Sequence, residues 1–116
     1  MKTVQIRQGD VLLVTTTHRI TKEAKPVPRD RGRVVLAYGE VTGHAHALDG
    51  ALTELFEERD GALYLRLGAG DELRHVDSLE SFGPTGEHGS QTLAAGTYRV
   101  IRQREYSPEQ IRNVAD

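Results

Sequence analysis

His44 and His46 stand two residues apart in the stretch Gly39-Glu40-Val41-Thr42-Gly43-His44-Ala45-His46. In an extended strand, side chains two apart point to the same face, so the two imidazoles would project together. One element would then supply two ligands for a metal ion. Ala45 is small and points the other way, and Gly43 permits a bulge or a close backbone approach just before the pair. His75 and His88 are the further imidazoles such a site would recruit, with Asp77 and Glu87 as carboxylate ligands or as partners that orient a ring. The chain has no cysteine, which excludes a thiolate nucleophile, a disulfide framework and sulfur-ligated zinc. Neutral imidazole suits zinc, iron, copper and nickel. The expected cofactor is a divalent metal ion, with zinc, iron, manganese or nickel as the candidates. The plainer reading of the pair is two polar strand residues facing solvent or hydrogen-bonded in a groove.

Two other stretches could carry chemistry. In the strand expected from Thr97 to Tyr106, Tyr98, Val100, Arg102, Arg104 and Tyr106 share one face, and Arg99, Ile101, Gln103 and Glu105 share the other. Arg104 could hold an anionic ligand through two parallel hydrogen bonds, and Glu105 could serve as general base toward a metal-bound water. The competing structural reading is an edge strand guarded by its charges. The second stretch, residues 18–33, carries Arg19, Lys22, Lys25, Arg29, Arg31 and Arg33, with Pro26 and Pro28 between them. It reads as an exposed arm able to meet nucleic-acid phosphates or an acidic partner, since backbone contacts need only accessible positive charge. No aromatic lies between these bases to stack on nucleobases. A phosphate-binding glycine loop, a Gly-x-Ser-x-Gly elbow and a helical His-Glu-x-x-His are all absent from the sequence.

The elements that must position these residues read mostly as strands. Val11 to Val14 predicts a strand buried on both faces, Arg33 to Val41 a second, and His44 to Leu48 a third. Leu52 to Glu57 and Ala62 to Leu67 flank Glu58-Arg59-Asp60-Gly61, where Asp-Gly predicts a hairpin whose two central residues both take positive φ. Glu72 to Val76 predicts another strand, and the glycine-rich 82–90 stretch predicts a loop. Ser107-Pro108-Glu109-Gln110 has the cap, the first-turn proline and the later glutamine of a helix start, so a short helix is expected over about residues 108–115. The expectation is one all-β domain over residues 1–116, a small barrel or sandwich of six to eight strands with that C-terminal helix.

At 116 residues the chain fits one domain, with 37% hydrophobic residues and no Trp, so the core must be mostly Val, Leu and Ala. The net charge of -2 excludes a strongly basic whole-molecule grip on nucleic acid. Charge is uneven along the chain: residues 1–40 carry +4 and residues 41–90 carry -7. No stretch is apolar and long enough for a membrane-spanning helix, and a soluble cytoplasmic protein is expected. The leading reading is a metal-binding β-barrel protein with the His44/His46 site, which as a metal-dependent enzyme would activate water or act on a small-molecule substrate or ligand. The alternative is a non-catalytic binding or assembly module that uses the basic arm. A homo-oligomer would leave no mark here beyond ordinary edge strands.

Two resemblances accompany these readings. Gly39, His44 and His46 resemble the first motif of the cupins, and Pro84, Gly86 and His88 resemble the second. That likeness implies a double-sheet barrel with His44, His46 and His88 around a divalent metal. Where a cupin places a glutamate soon after the second histidine, this chain has Gly50 and Ala51. The segments Gly39 to Leu48 and Ala95 to Glu109 are similar to those of an uncharacterised family of small bacterial and phage proteins. That similarity implies that the two segments serve one functional unit, and it implies no reaction.

Overall fold

The computed structural model describes residues 3–39, 41–83 and 89–103. These form ten strands: β1 (Gln5–Gln8), β2 (Val11–Thr15), β3 (Lys25–Pro26), β4 (Val34–Tyr38), β5 (Ala45–Leu48), β6 (Thr53–Glu57), β7 (Leu63–Leu67), β8 (Asp71–Val76), β9 (Gln91–Leu93) and β10 (Gly96–Arg102). Six make one sheet in the order β1-β2-β10-β7-β6-β3, and four make a second in the order β4-β5-β8-β9. Every pairing between them is antiparallel. The all-β expectation holds. The sheets do not close into a barrel, and the described strands number ten rather than six to eight. The helix expected over 108–115 lies outside the described residues.

Alternation along the strands builds the core. Val11 and Leu13 of β2, Leu65 and Leu67 of β7, and Tyr98 and Val100 of β10 turn one way from the larger sheet. They meet Leu36 of β4, Leu48 of β5, Leu73 of β8 and Leu93 of β9 from the smaller sheet. The main core therefore lies between the two sheets. A second cluster, Val35, Ala45, Ala47, Val76, Leu79 and Phe82, covers the outer face of the smaller sheet with the segment that follows β8. This explains why all four residues of β5 are buried: Ala45 and Ala47 face the second cluster, while His46 and Leu48 face the main core. Strand β2 is less enclosed than its sequence suggests, because Leu12 and Val14 remain half-buried on the outer face.

The turns correct two expectations. In the β6–β7 hairpin only Gly61 takes positive φ, at 88°, and Asp60 does not. The amide of Glu58 donates to the Ala62 carbonyl and the amide of Gly61 donates to that of Glu58, so Arg59-Asp60-Gly61 is a three-residue loop ending in a left-handed glycine. A two-residue hairpin occurs instead at Asp30 to Arg33, where Arg31 (50°) and Gly32 (82°) both take positive φ and feed the chain into β4. Strand β10 pairs with both β2 and β7, so its arginines do not guard an edge. Arg102 instead reaches from β10 to donate to the Leu36 carbonyl at 2.5 Å, at the bulge that interrupts β4 between Val35 and Ala37. Strands β1 and β3, with few apolar residues to mark them, sit at the two edges of the larger sheet.

Candidate functional site

The backbone holds His44 in place just ahead of β5. The amide of Gly39 donates to the His44 carbonyl at 2.7 Å, and the amide of His44 donates to the Val41 carbonyl at 3.0 Å. A Cβ at Gly39 would lie 2.7 Å from the Cβ of His44, so only glycine lets the two segments approach this closely. Gly43 takes φ of 91°, which turns the chain into the strand. His46 then lies on β5 directly opposite His75 on β8. Both are 4% exposed and face the interior. Their ring centroids are 4.6 Å apart, and those of His44 and His75 are 5.4 Å apart in an edge-to-face arrangement.

Three of the four sequence-predicted ligands therefore gather on one face of the smaller sheet. His88 lies outside the described residues, as do Glu87, Arg104 and Glu105. As the rings are placed, no group of three or more His, Asp or Glu side chains among the described residues is set to hold a metal ion. One polar atom in the group stands out. His44 Nδ1 is buried and has no hydrogen-bond partner among the described residues.

A residue that sequence reasoning missed completes the cluster. Gln8, at the end of β1 and 2% exposed, reaches from the larger sheet into the smaller one. Its Oε1 lies 2.9 Å from His46 Nδ1. Its Nε2 donates to the carbonyls of Leu73 and Gly89 at 3.1 and 3.0 Å. Gly89 is the residue after His88 in the chain. The alternation of Gln5-Ile6-Arg7-Gln8 gave no sign of this, because a buried glutamine becomes visible only through its tertiary partners.

Half of the basic arm, Arg29, Arg31 and Arg33, is committed to the fold. Arg29 donates to the carbonyls of Gly32, Gly50 and Thr53 at 2.9, 2.6 and 3.0 Å, which fastens the Asp30–Arg33 turn to the start of β6. Arg31 pairs with Asp30 and Glu80, and Arg33 with Asp49. Arg33 also lies over the Phe82 ring at 4.3 Å. Arg19, Lys22 and Lys25 make none of the ion pairs found among the described residues.

The segment bearing Arg19 and Lys22 is tied down through Glu58, which accepts from His18 Nε2 at 2.7 Å, the Thr21 amide at 2.9 Å and the Thr21 hydroxyl at 2.5 Å. The Thr21 hydroxyl above all, then His18 and the Thr21 amide, hold the Glu58 carboxyl down at about 2, from an ordinary value of 4.5. A carboxylate depressed in the folded state stabilises it above the unfolded value, and that contribution disappears as pH falls through the folded value. Glu58→Gln is therefore expected to lower the urea midpoint fully at pH 7, with the gap to the natural protein narrowing from about pH 4.5 and closing near pH 2. Paired urea titrations across that range check this, and a gap independent of pH would refute the carboxylate's role. The His18 ring stacks on Tyr64 at 4.1 Å, covering an aromatic that would otherwise face outward from β7. A cleft of about 610 Å³ opens beside this hairpin, lined by Glu23, Lys25, Glu57, Glu58, Arg59 and Gly61. None of the cluster histidines lines it, and its mixed charges select no ligand.

A family model matches residues 7–103, most of the chain, and runs from the end of β1 through β10 with His44, His46 and His75 inside it. The chain belongs to the family described as "Domain of unknown function (DUF8820)". The expectation of an uncharacterised family is met, and the family description carries no activity. No curated protein and no solved structure matches the chain. Among the described residues, no helix of this DUF8820 chain is long and apolar enough to cross a membrane.

Proposed function

We propose that this DUF8820 protein binds a divalent metal ion through His44, His46 and His75. The observation that carries the reading is the buried Nδ1 of His44, unpartnered among the described residues, beside two other imidazoles. A buried nitrogen without a partner costs the fold about 1–3 kcal/mol, and a ligated ion would remove that cost. The ring spacing is suitable. With zinc–nitrogen bonds of about 2.0–2.1 Å, two imidazoles on one tetrahedral ion have centroids roughly 5 Å apart, close to the 4.6 and 5.4 Å seen here. Ligation would then turn the His44 and His75 rings about χ2, a broad, roughly two-fold torsion in histidine, while His46 keeps its bond to Gln8. The cupin-like run of Gly39, His44 and His46 supports the same ligand pair. All three ligands are neutral, so the site retains the ion's full charge and suits a borderline metal such as zinc, iron or nickel better than manganese.

The test is equilibrium dialysis of tag-free, metal-stripped protein against Zn, Fe(II), Mn and Ni in turn, read by elemental mass spectrometry. One ion per chain is expected for at least one metal, with uptake abolished in the His44→Ala/His46→Ala double variant. His75→Ala should weaken binding by more than the 10–100-fold that loss of an outer-sphere partner costs. A folded protein that takes up none of the four metals would end the metal reading. The basic-arm alternative has less support, because Arg29 is spent on backbone carbonyls and Arg31 on carboxylates.

A further inference from the structure

Gln8 does more than fill space. A primary amide offers two N–H donors on nitrogen and an acceptor on oxygen. Both partners of Gln8 Nε2, the carbonyls of Leu73 and Gly89, can only accept. The amide orientation is therefore fixed, since the flipped form would set Oε1 against two carbonyl oxygens in a buried site. Oε1 is left facing His46 Nδ1 at 2.9 Å. An amide oxygen cannot donate, so Nδ1 must carry the hydrogen. In the neutral imidazole the lone pair is then on Nε2.

We infer that Gln8 is a positioning residue: it fixes His46 in the Nδ1–H tautomer, so that Nε2 is the ligand atom this ring offers to a metal. The role rests on the metal-binding reading above, whereas the tautomer rests on hydrogen-bond geometry alone. The arrangement has the logic of histidine ligands in general, whose second ring nitrogen donates to a carboxylate, a carbonyl or water that sets tautomer and ring orientation. Here the outer partner is an amide from the opposite sheet. Its two N–H bonds go to the β8 carbonyl of Leu73, two residues before His75, and to Gly89. Gln8 thus ties the orientation of His46 to the packing of β1 against the smaller sheet. A neutral outer partner also adds no negative charge, so the site stays a neutral-ligand site.

The experiment has two stages. Long-range ¹H–¹⁵N correlation of the metal-free natural protein at pH 8 reports the tautomer of each imidazole directly, with the His46 signals assigned by their loss in His46→Ala. A pyrrole-type Nδ1 and a pyridine-type Nε2 are expected for His46, and the reverse pattern would overturn the inference whatever the metal result. The second stage titrates Zn into the natural protein and into Gln8→Met, whose fold is checked by its amide spectrum. A 10–100-fold weaker affinity in Gln8→Met, with His46 populating both tautomers, is expected. A folded Gln8→Met that binds Zn as tightly as the natural protein would overturn the positioning role. The Nδ1–H tautomer in a protein that binds no metal would instead overturn the proposed function, while supporting the hydrogen-bond assignment of Gln8.

Discussion

Leu65→Ala should cost the fold about 3 kcal/mol, within the 2–5 kcal/mol typical of a fully buried leucine truncated to alanine. Leu65 is 0% exposed and sits mid-strand on β7, directly opposite Leu55 on β6 and Tyr98 on β10. Its side chain fills the space between the sheets at a point where hydrogen-bonded strands flank it on both sides. Those strands can move little, so the vacated volume would stay as a cavity. Against a total stability of about 5–15 kcal/mol, that loss is large, and it corresponds to a fall in Tm of roughly 10–25 °C. The control is the next residue, Arg66→Ala. Its guanidinium lies 4.7 Å over Phe56 and 2.9 Å from Glu54, on a side chain 48% exposed. A surface ion pair contributes about 0–1 kcal/mol, so Arg66→Ala should stay within about 1 kcal/mol of the natural protein. Urea denaturation of the two variants decides the matter, and equal losses would show that β7 is not enclosed between the sheets.

That contrast between neighbours is the part of the fold the sequence makes legible. The alternation of Leu63, Leu65 and Leu67 against Tyr64 and Arg66 assigns faces correctly without any tertiary information. The same two-residue period puts His44 and His46 on a common face, so that pair was also legible. Its pairing with His75 was not. The register that sets His46 against His75 joins strands separated by β6 and β7, and nothing local encodes it. Strand β1 was missed for a related reason. Gln5-Ile6-Arg7-Gln8 has a single apolar residue, and its partner β2 supplies the pattern that makes it a strand. The arginines of the arm show the same limit. A run of basic residues looks like a solvated or binding surface until its partners are known, and those of Arg29 and Arg33 are backbone carbonyls and carboxylates remote in sequence. Polar groups that hold a fold together are visible only with their acceptors.

Phe82→Ala is expected to cost about 3–5 kcal/mol, the range for a buried phenylalanine truncated to alanine. Phe82 is 7% exposed and caps the outer face of the smaller sheet, packed with Ala45, Ala47 and Val76. Arg33 and Arg74 lie over its ring at 4.3 and 5.1 Å, and each such contact adds about 0.5–1 kcal/mol at a partly exposed site. The ring is held by a backbone in an unfavourable conformation: Phe82 takes φ of 55°, while its amide donates to the Ser78 carbonyl at 2.8 Å. For a residue with a Cβ, the left-handed region costs about 1–2 kcal/mol, and glycine escapes that cost. Two variants separate the ring from the backbone. Phe82→Ala loses the ring and keeps the strain, whereas Phe82→Gly loses the ring and relieves it. Phe82→Gly should therefore be the more stable of the two by about 1 kcal/mol, although glycine ordinarily destabilises by 0.5–1 kcal/mol relative to alanine in regular structure. Urea midpoints of the three proteins give the order, and a glycine variant less stable than the alanine variant would show that Phe82 stores no backbone strain. Ala45 and Ala47 flank His46 on β5, so the ring covers the face of that strand opposite the one from which His46 projects inward.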